Sequence, residues 1–146
     1  PLIEPDMINS LINVFKDEED LKMATLKHKL LKKEDIENPN YVKVVTDKKD
    51  YAIYFSRSVI PYPRNENLDI YFKHVGIYGY KREFVLEYAK LKSTPLENSE
   101  SLEQLRVLEN GYKIKVLETP FEIIGVDTQD ELEKVRKYIS EKGIEL

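Results

Sequence analysis

The sequence predicts an α/β fold, a layered mixed β-sheet with flanking helices. Segments of strand composition alternate with segments of helical periodicity along the 146 residues, which is typical of a sheet covered by helices. Two strand segments are joined by a short polar turn, and this hairpin adds an antiparallel pair to the sheet. The length fits one domain, 1–146, which buries roughly 68–70% of its unfolded surface.

The first half of the chain is predicted to contain a helix, a strand and a hairpin. Apolar residues at helical spacing predict a helix over 6–16. The segment 21–30 partly alternates and indicates a strand, whereas 41–46 and 51–57 are clearer strands that the turn "TDKKD" pairs antiparallel. Two prolines and a polar cluster in "SVIPYPRNENLD" then predict a mobile loop.

The second half is predicted to continue the alternation. The elements are strand 70–80, helix 81–91, helix 99–109, strand 113–119, turn 125–127 and helix 128–142. Gly111 and Gly143 are placed to end the second and the last of these helices, because glycine suits the left-handed conformation common there.

The composition and the missing motifs exclude several classes of function. The 23 basic and 27 acidic side chains are spread along the chain with a net charge of −4, so no nucleic-acid partner is expected. The absence of cysteine fits a reducing compartment, and no apolar run approaches a membrane span, so a cytoplasmic protein is predicted. The five glycines form no phosphate-binding motif, and His28 and His74 lack metal-ligand spacing.

The strand "HVGIYGY" carries the first candidate site residues. A period of two places His74, Gly76, Tyr78 and Tyr80 on one face. A glycine inside a strand often marks the close approach of a ligand or another backbone, so Gly76 suggests the floor of a binding site. The alternative is a half-exposed strand whose tyrosines pack at the sheet surface.

Arg57 ends the strand "YAIYFSR", in phase with Tyr51, Ile53 and Phe55, which are predicted to face the core. An arginine at this position can bind a carboxylate through its planar guanidinium. The alternative is a surface side chain that extends its charged end into solvent.

Glu103 and Gln104 lie in "SLEQLRVLEN", whose apolar residues surround much of the predicted helix. Both side chains are therefore predicted to point inward, where buried polar groups need partners. A ligand rich in hydroxyls would serve, as would contacts with the backbone.

Asp127 directly precedes a capping-box pattern formed by Thr128 and Glu131. Its negative charge either stabilises the helix by interacting with the positive end of the helix dipole, or it is a hard oxygen ligand for Mg²⁺. Mg²⁺ needs only one or two protein carboxylates.

Four stretches together resemble the 3-deoxy-manno-octulosonate cytidylyltransferase (CMP-Kdo synthetase) family: "YAIYFSRSVIPYPR", "HVGIYGYKREF", "STPLENSESLEQLRVLENG" and "GVDTQDELEKV". The resemblance implies a Rossmann-like nucleotidyltransferase fold and a cytoplasmic homodimer. It also implies a reaction in which the anomeric hydroxyl of 3-deoxy-D-manno-octulosonate (Kdo) attacks the α-phosphate of CTP in the presence of Mg²⁺. The products are pyrophosphate and CMP-Kdo for lipopolysaccharide biosynthesis.

The family motifs also imply roles for individual residues. Arg57, His74 and Tyr78 would contact Kdo, and Glu103 and Gln104 would bind its hydroxyls. Asp127 would be the catalytic residue that ligates Mg²⁺.

Members of this family are longer at the amino end, where a glycine- and arginine-containing loop binds the triphosphate and a "GDEP"-like turn brings a second metal-binding aspartate. Pro1 aligns with the proline of that turn. The resemblance therefore implies the sugar-binding and dimer-forming carboxyl-terminal part, without the CTP-binding segment. The alternative is a non-catalytic binding or dimerisation module.

Overall fold

A computed structural model describes residues 3–65, 70–121, 126 and 129–142. The helices are α1 (Pro5–Asp17), α2 (Lys33–Glu37), α3 (Arg82–Tyr88), α4 (Pro95–Glu100), α5 (Gln104–Glu109) and α6 (Gln129–Lys142). The strands are β1 (Met23–Lys29), β2 (Lys43–Thr46), β3 (Ala52–Ser56), β4 (Phe72–Tyr80) and β5 (Ile114–Glu118). Asp127, Gly143 and part of the predicted loop and turn lie outside these ranges.

The five strands form one sheet in the order β3-β2-β4-β1-β5. Strands β1 and β5 run parallel, whereas β1 with β4 and β2 with β3 run antiparallel. This mixed sheet with flanking helices confirms the predicted fold class and the predicted hairpin. No helix in the part of the chain described here is long and apolar enough to cross a bilayer.

The two faces of the sheet build separate hydrophobic clusters. One cluster joins α1 to the sheet, because the apolar stripe of this amphipathic helix faces β1 and β4. Its buried members are Met7, Leu11, Val14, Leu21, Ala24, Leu26 and Val75. The second cluster packs α3 and α5 against the opposite face, and its buried members are Met23, Val44, Phe55, Phe84, Leu102, Leu105, Val107, Ile114 and Val116.

The helix predicted over 99–109 is in fact two short helices, α4 and α5, joined at a corner. Pro95 occupies the first turn of α4, where its missing N–H costs nothing, and the Thr94 N–H donates to Glu97 Oε2 at 3.1 Å. Ser101 has a φ of 53°, a left-handed conformation that ends α4. Glu103 therefore lies at the start of α5 rather than within a helix.

The prediction that the side chains of β3 alternate strictly between the two faces of the sheet is wrong. Val45 pairs with Tyr54 and Thr46 pairs with Ala52, so Ile53 is an extra residue without a partner on β2. A bulge of this kind redirects the side chain. Ile53 is 62% exposed, although alternation placed it in the core.

Close approach in β4 occurs at Gly79 and not at Gly76. A Cβ atom on Gly79 would lie 2.7 Å from Cε2 of Phe15 in α1, whereas no atom of the described residues lies within 4 Å of a Cβ on Gly76. We expect Gly79→Ala to destabilise the fold by about 1 kcal/mol, because the Phe15 ring must shift. Gly76→Ala is the matched control and is expected to be neutral or stabilising by a few tenths of a kcal/mol. Urea unfolding of both variants tests this, and equal stabilities would contradict it.

Candidate functional site

A hollow of about 290 Å³ lies between the end of β4 and the corner joining α4 to α5. Its walls are Tyr78, Tyr80, Tyr88, Ser101, Leu102, Glu103 and Gln104. Three residues predicted from two separate sequence stretches, Tyr78 from one and Glu103 and Gln104 from the other, therefore meet at one site. Hydroxyl, carboxylate and amide groups there can donate and accept hydrogen bonds, as a polyhydroxylated ligand requires.

Three tyrosines form the aromatic side of this hollow. The Tyr78 and Tyr80 ring centroids are 6.0 Å apart, and Tyr80 stacks on Tyr88 at 6.2 Å. Burial raises the pKa of Tyr80 to about 12 and that of Tyr78 well above its usual range. Both phenols are therefore protonated at neutral pH and can donate hydrogen bonds.

Gln104 and Glu103 differ in burial because they occupy different positions at the corner. Gln104, in the first turn of α5, is only 5% exposed, as predicted. Glu103 is exposed, so the prediction that it points inward is wrong, although it lines the rim of the hollow. Its backbone is held in place, since the Tyr88 hydroxyl donates to the Glu103 carbonyl at 2.9 Å.

His74 lies behind Tyr78 and is not among the residues that line the hollow. The residue is 9% exposed, and its ring packs between Phe55, at a centroid distance of 5.0 Å, and Tyr78, at 5.4 Å. Burial lowers the pKa of His74 to about 4. The ring is therefore a neutral imidazole that supports the Tyr78 ring.

Thr25 on β1 orients His74 and was not found from the sequence. Its Oγ1 lies 3.0 Å from His74 Nε2, 3.1 Å from the Val75 carbonyl and 2.8 Å from the Ile77 carbonyl. Both carbonyls can only accept, and when the single hydroxyl proton goes to one of them, the Thr25 oxygen is left to accept from Nε2–H. This arrangement favours the Nε2-protonated tautomer of His74.

The same threonine sits at a bulge that keeps the site residues on one face. Thr25 pairs with Tyr78 and Leu26 pairs with Val75, so Gly76 and Ile77 are two extra residues on β4. Two extra residues preserve the alternation of faces, whereas one would reverse it. The bulge leaves Gly76 exposed and outside the hollow, so its predicted role as a floor is not supported.

Arg57 follows the end of β3 and is half-buried. Its Nε donates to the Glu100 carbonyl at 2.9 Å, and its Nη1 lies 3.4 Å from the Pro39 carbonyl. It does not line the hollow, but Glu100 directly precedes Ser101, which does. Arg57 is therefore attached to the edge of the site instead of extending freely into solvent.

Lys43 lies beneath Arg57 and was also missed by sequence reasoning. It is 0% exposed, and its Nζ donates to the carbonyl oxygens of Arg57 at 2.6 Å and Asn38 at 2.9 Å. Burial lowers the pKa of the Lys43 ammonium. A lysine in a strand usually indicates an exposed position, so the sequence gives no sign that Lys43 is buried and contacts Arg57.

Within the ranges that the structure describes, no group of three or more His, Asp or Glu side chains could hold a metal ion. The predicted Mg²⁺ ligand, Asp127, lies outside those ranges. A carboxylate is a suitable donor for Mg²⁺, and a single one suffices when phosphate oxygens complete the coordination.

Comparison with known proteins identifies close relatives. Residues 1–114 match the cytidylyltransferase family. A 3-deoxy-manno-octulosonate cytidylyltransferase of Fusobacterium nucleatum is 71% identical over 146 residues, which is 100% of this chain and 60% of that protein. The enzyme of the same name from Geotalea daltonii is 48% identical over 154 residues, covering 98% of this chain and 61% of the relative.

A solved structure has the same fold. It is CMP:2-keto-3-deoxy-manno-octonic acid synthetase complexed with CTP, with a TM-score of 0.91 and 41% sequence identity. The match covers 97% of this chain and 58% of that one. The chain thus spans about 60% of the length of these relatives.

Proposed function

The chain belongs to the cytidylyltransferase family, and on that basis we propose that it supplies the acceptor-sugar part of an enzyme that transfers CMP from CTP to Kdo. The products are CMP-Kdo and pyrophosphate, and the proposed role is lipopolysaccharide biosynthesis. The observation that carries the proposal is the hollow lined by Tyr78, Glu103 and Gln104. It occurs in a chain that is 71% identical to a relative named 3-deoxy-manno-octulosonate cytidylyltransferase.

The chemistry of the hollow suits a sugar acid. The protonated Tyr78 phenol and the Gln104 amide can both donate to and accept from hydroxyl groups, and the Glu103 carboxylate accepts from them. The Arg57 guanidinium would bind the carboxylate of Kdo through parallel hydrogen bonds. We propose that His74 acts from behind, as the support of the Tyr78 ring.

In the proposed reaction the anomeric oxygen of Kdo forms a bond to the α-phosphorus of CTP. The bond from that phosphorus to the pyrophosphate oxygen breaks, and the anomeric hydroxyl releases its proton to solvent water. The protein's task is alignment of the two oxygens with phosphorus and neutralisation of charge. When bound, Mg²⁺ supplies much of that neutralisation, and Asp127 would hold it.

Binding and turnover separate the parts of this proposal. We expect isothermal titration calorimetry to show that Kdo binds the 146-residue chain.

We place the triphosphate site in the part of the relatives that this chain does not span, so pyrophosphate release from CTP plus Kdo is expected from a chimera. The chimera joins this chain to the uncovered segment of the Fusobacterium nucleatum relative. A chain that does not bind Kdo and a chimera without turnover would contradict the proposal.

Asp127→Asn tests the proposed Mg²⁺ ligand in the same chimera. We expect kcat to fall by at least about tenfold while the KM for Kdo changes little, because the metal acts on charge at the phosphate. Asp130→Asn, in the following helix, is the control and is expected to retain turnover. Normal kcat for Asp127→Asn at saturating Mg²⁺ would exclude this role.

The alternative of a non-catalytic binding or dimerisation module is not favoured, because the matched relatives are named as enzymes.

The proposal includes a cytoplasmic homodimer without a nucleic-acid or membrane partner. Sedimentation velocity of the chain tests the dimer, and a monomer at micromolar concentration would remove it from the proposal.

A further inference from the structure

Glu100, the last residue of α4, makes contacts with Arg57 through both its backbone and its side chain. Its carboxylate Oε2 accepts from the Arg57 backbone N–H at 3.0 Å, and its carbonyl accepts from Arg57 Nε at 2.9 Å. Its other carboxylate oxygen accepts from the hydroxyl of Ser56, a residue only 2% exposed, at 2.6 Å. Three hydrogen bonds thus join the end of β3 to the end of α4.

The carboxylate of Glu100 holds the Arg57 backbone and leaves the guanidinium charge available. In the part of the chain that the structure describes, Arg57 forms no ion pair, and its side chain donates to two neutral carbonyls, those of Glu100 and Pro39. An unneutralised guanidinium attracts an anion far more strongly than one already paired with a carboxylate. Glu100 therefore orients this cation without competing for it.

The same residue connects Arg57 to the hollow. Ser101, Glu103 and Gln104 follow Glu100 directly, and all three line the hollow. The left-handed Ser101 and the hydrogen bond from Tyr88 to the Glu103 carbonyl set the course of this corner. A displacement of Glu100 would therefore change the distance between the Arg57 cation and the groups that face a ligand's hydroxyls.

We propose that Glu100 is a positioning residue that holds the Arg57 guanidinium at the edge of the hollow, where it binds the carboxylate of the acceptor sugar. This inference rests on the proposed function and extends it to a residue that would touch the substrate only through Arg57. Lys43, whose ammonium donates to the Arg57 carbonyl at 2.6 Å, supports the same backbone from below.

Glu100→Gln is the direct test, because it replaces one of the two carboxylate oxygens by an NH₂ donor and removes the charge, so the Ser56 hydroxyl and the Arg57 N–H no longer each donate to a charged oxygen. We expect calorimetry on the 146-residue chain to show Kdo binding weakened about tenfold, the loss expected when a charge-assisted contact is misaligned. Binding of the methyl ester of Kdo, which lacks the negative charge, is expected to be unchanged. A purely structural role would weaken both ligands alike.

Glu109→Gln is the matched control. Glu109 Oε2 accepts from the backbone N–H groups of Leu96 at 3.0 Å and Glu97 at 3.3 Å, so it also holds α4 but does not contact Arg57. We expect Glu109→Gln to leave the preference for Kdo over its methyl ester intact. In an Arg57→Ala background, Glu100→Gln is expected to have no further effect on Kdo binding, since the two residues act as a unit.

The outcomes distinguish this inference from the proposed function. If the unaltered chain does not bind Kdo, the proposed function fails. If the unaltered chain binds Kdo and Glu100→Gln binds it equally tightly, or loses both ligands equally, the positioning role is wrong and the proposed function stands. If Glu100→Gln does not fold, Ser56→Ala replaces it. That variant removes the donor to Oε1 and is expected to weaken Kdo selectively, and unchanged binding would overturn the inference.

Discussion

Replacing Arg106 by methionine is expected to lower the free energy of unfolding by about 2–3 kcal/mol. This loss is smaller than that of breaking a fully buried ion pair, because solvent reaches part of the Arg106 side chain. The Arg106 guanidinium forms a two-point ion pair with Glu97, one contact being Nε to Oε2 at 2.8 Å and the other Nη2 to Oε1. The two side chains are 21% and 8% exposed. Methionine would leave the buried Glu97 carboxylate without its counter-ion, at the base of the corner that carries Glu103 and Gln104.

Urea unfolding at pH 7 measures this loss, and the chain offers a matched control. Arg136 pairs with Glu133 at 2.7 Å on the surface of α6, where both side chains are more than half exposed. We expect Arg136→Met to cost less than about 0.5 kcal/mol. Combining Arg106→Met with Glu97→Met is expected to recover part of the stability, because no buried charge is then left unpaired. Equal stabilities of the two arginine variants would contradict the argument.

The ion pair also has a defined pH window. The hydrogen bonds and charge of Arg106 lower the pKa of Glu97 from 4.5 to about 2. A carboxylate whose pKa is lower in the folded state stabilises the protein above its unfolded pKa. This contribution is therefore present above pH 4.5 and is lost as the pH falls toward 2. Arg106→Met should remove this part of the acid sensitivity.

The second large effect concerns His74, which should make the protein lose stability in mild acid. Burial lowers the pKa of His74 from 6.5 to about 4, so the unfolded chain binds a proton more readily than the folded one. Stability is then complete above pH 6.5 and decreases as the pH falls from 6.5 to 4. The difference between the two values corresponds to about 3 kcal/mol at the acidic end of this window.

Unfolding free energies at pH 7 and pH 5 test this expectation. His74→Gln keeps a polar group opposite Thr25 but does not titrate, so its stability should change less between the two pH values than that of the unaltered chain. His28→Gln alters the other histidine, whose Nδ1 lies 3.0 Å from the Thr119 carbonyl, and should keep the full pH dependence. A His74→Gln variant with an unchanged pH slope would rule out His74 as the source. The Glu97 window begins only near pH 4.5, so the two effects are separable.

Local sequence patterns predicted most of the strands and helices, because the formation of these elements depends mainly on residues that are close in the sequence. The strand over 70–80 and the hairpin of 41–46 with 51–57 correspond to β4, β2 and β3. The patterns failed where a single residue changed the course of the backbone. The left-handed Ser101 divides the helix predicted over 99–109, and the bulge at Ile53 turns that side chain into solvent. The five-residue helix α2, with Ile36 as its one buried residue, is too short to give a periodic signal.

The sequence by itself determined the α/β class, the face shared by His74 and Tyr78, and the resemblance to a cytidylyltransferase, because these depend on periodicity and on motifs contiguous in the chain. Only the tertiary structure decided that Thr25 orients His74 and that Glu100 holds Arg57. These partners are separated by 49 and 43 positions in the chain. Hydrogen bonds between such distant groups arise from the pairing of β1 with β4 and from the corner of α4 and α5, so no local pattern encodes them.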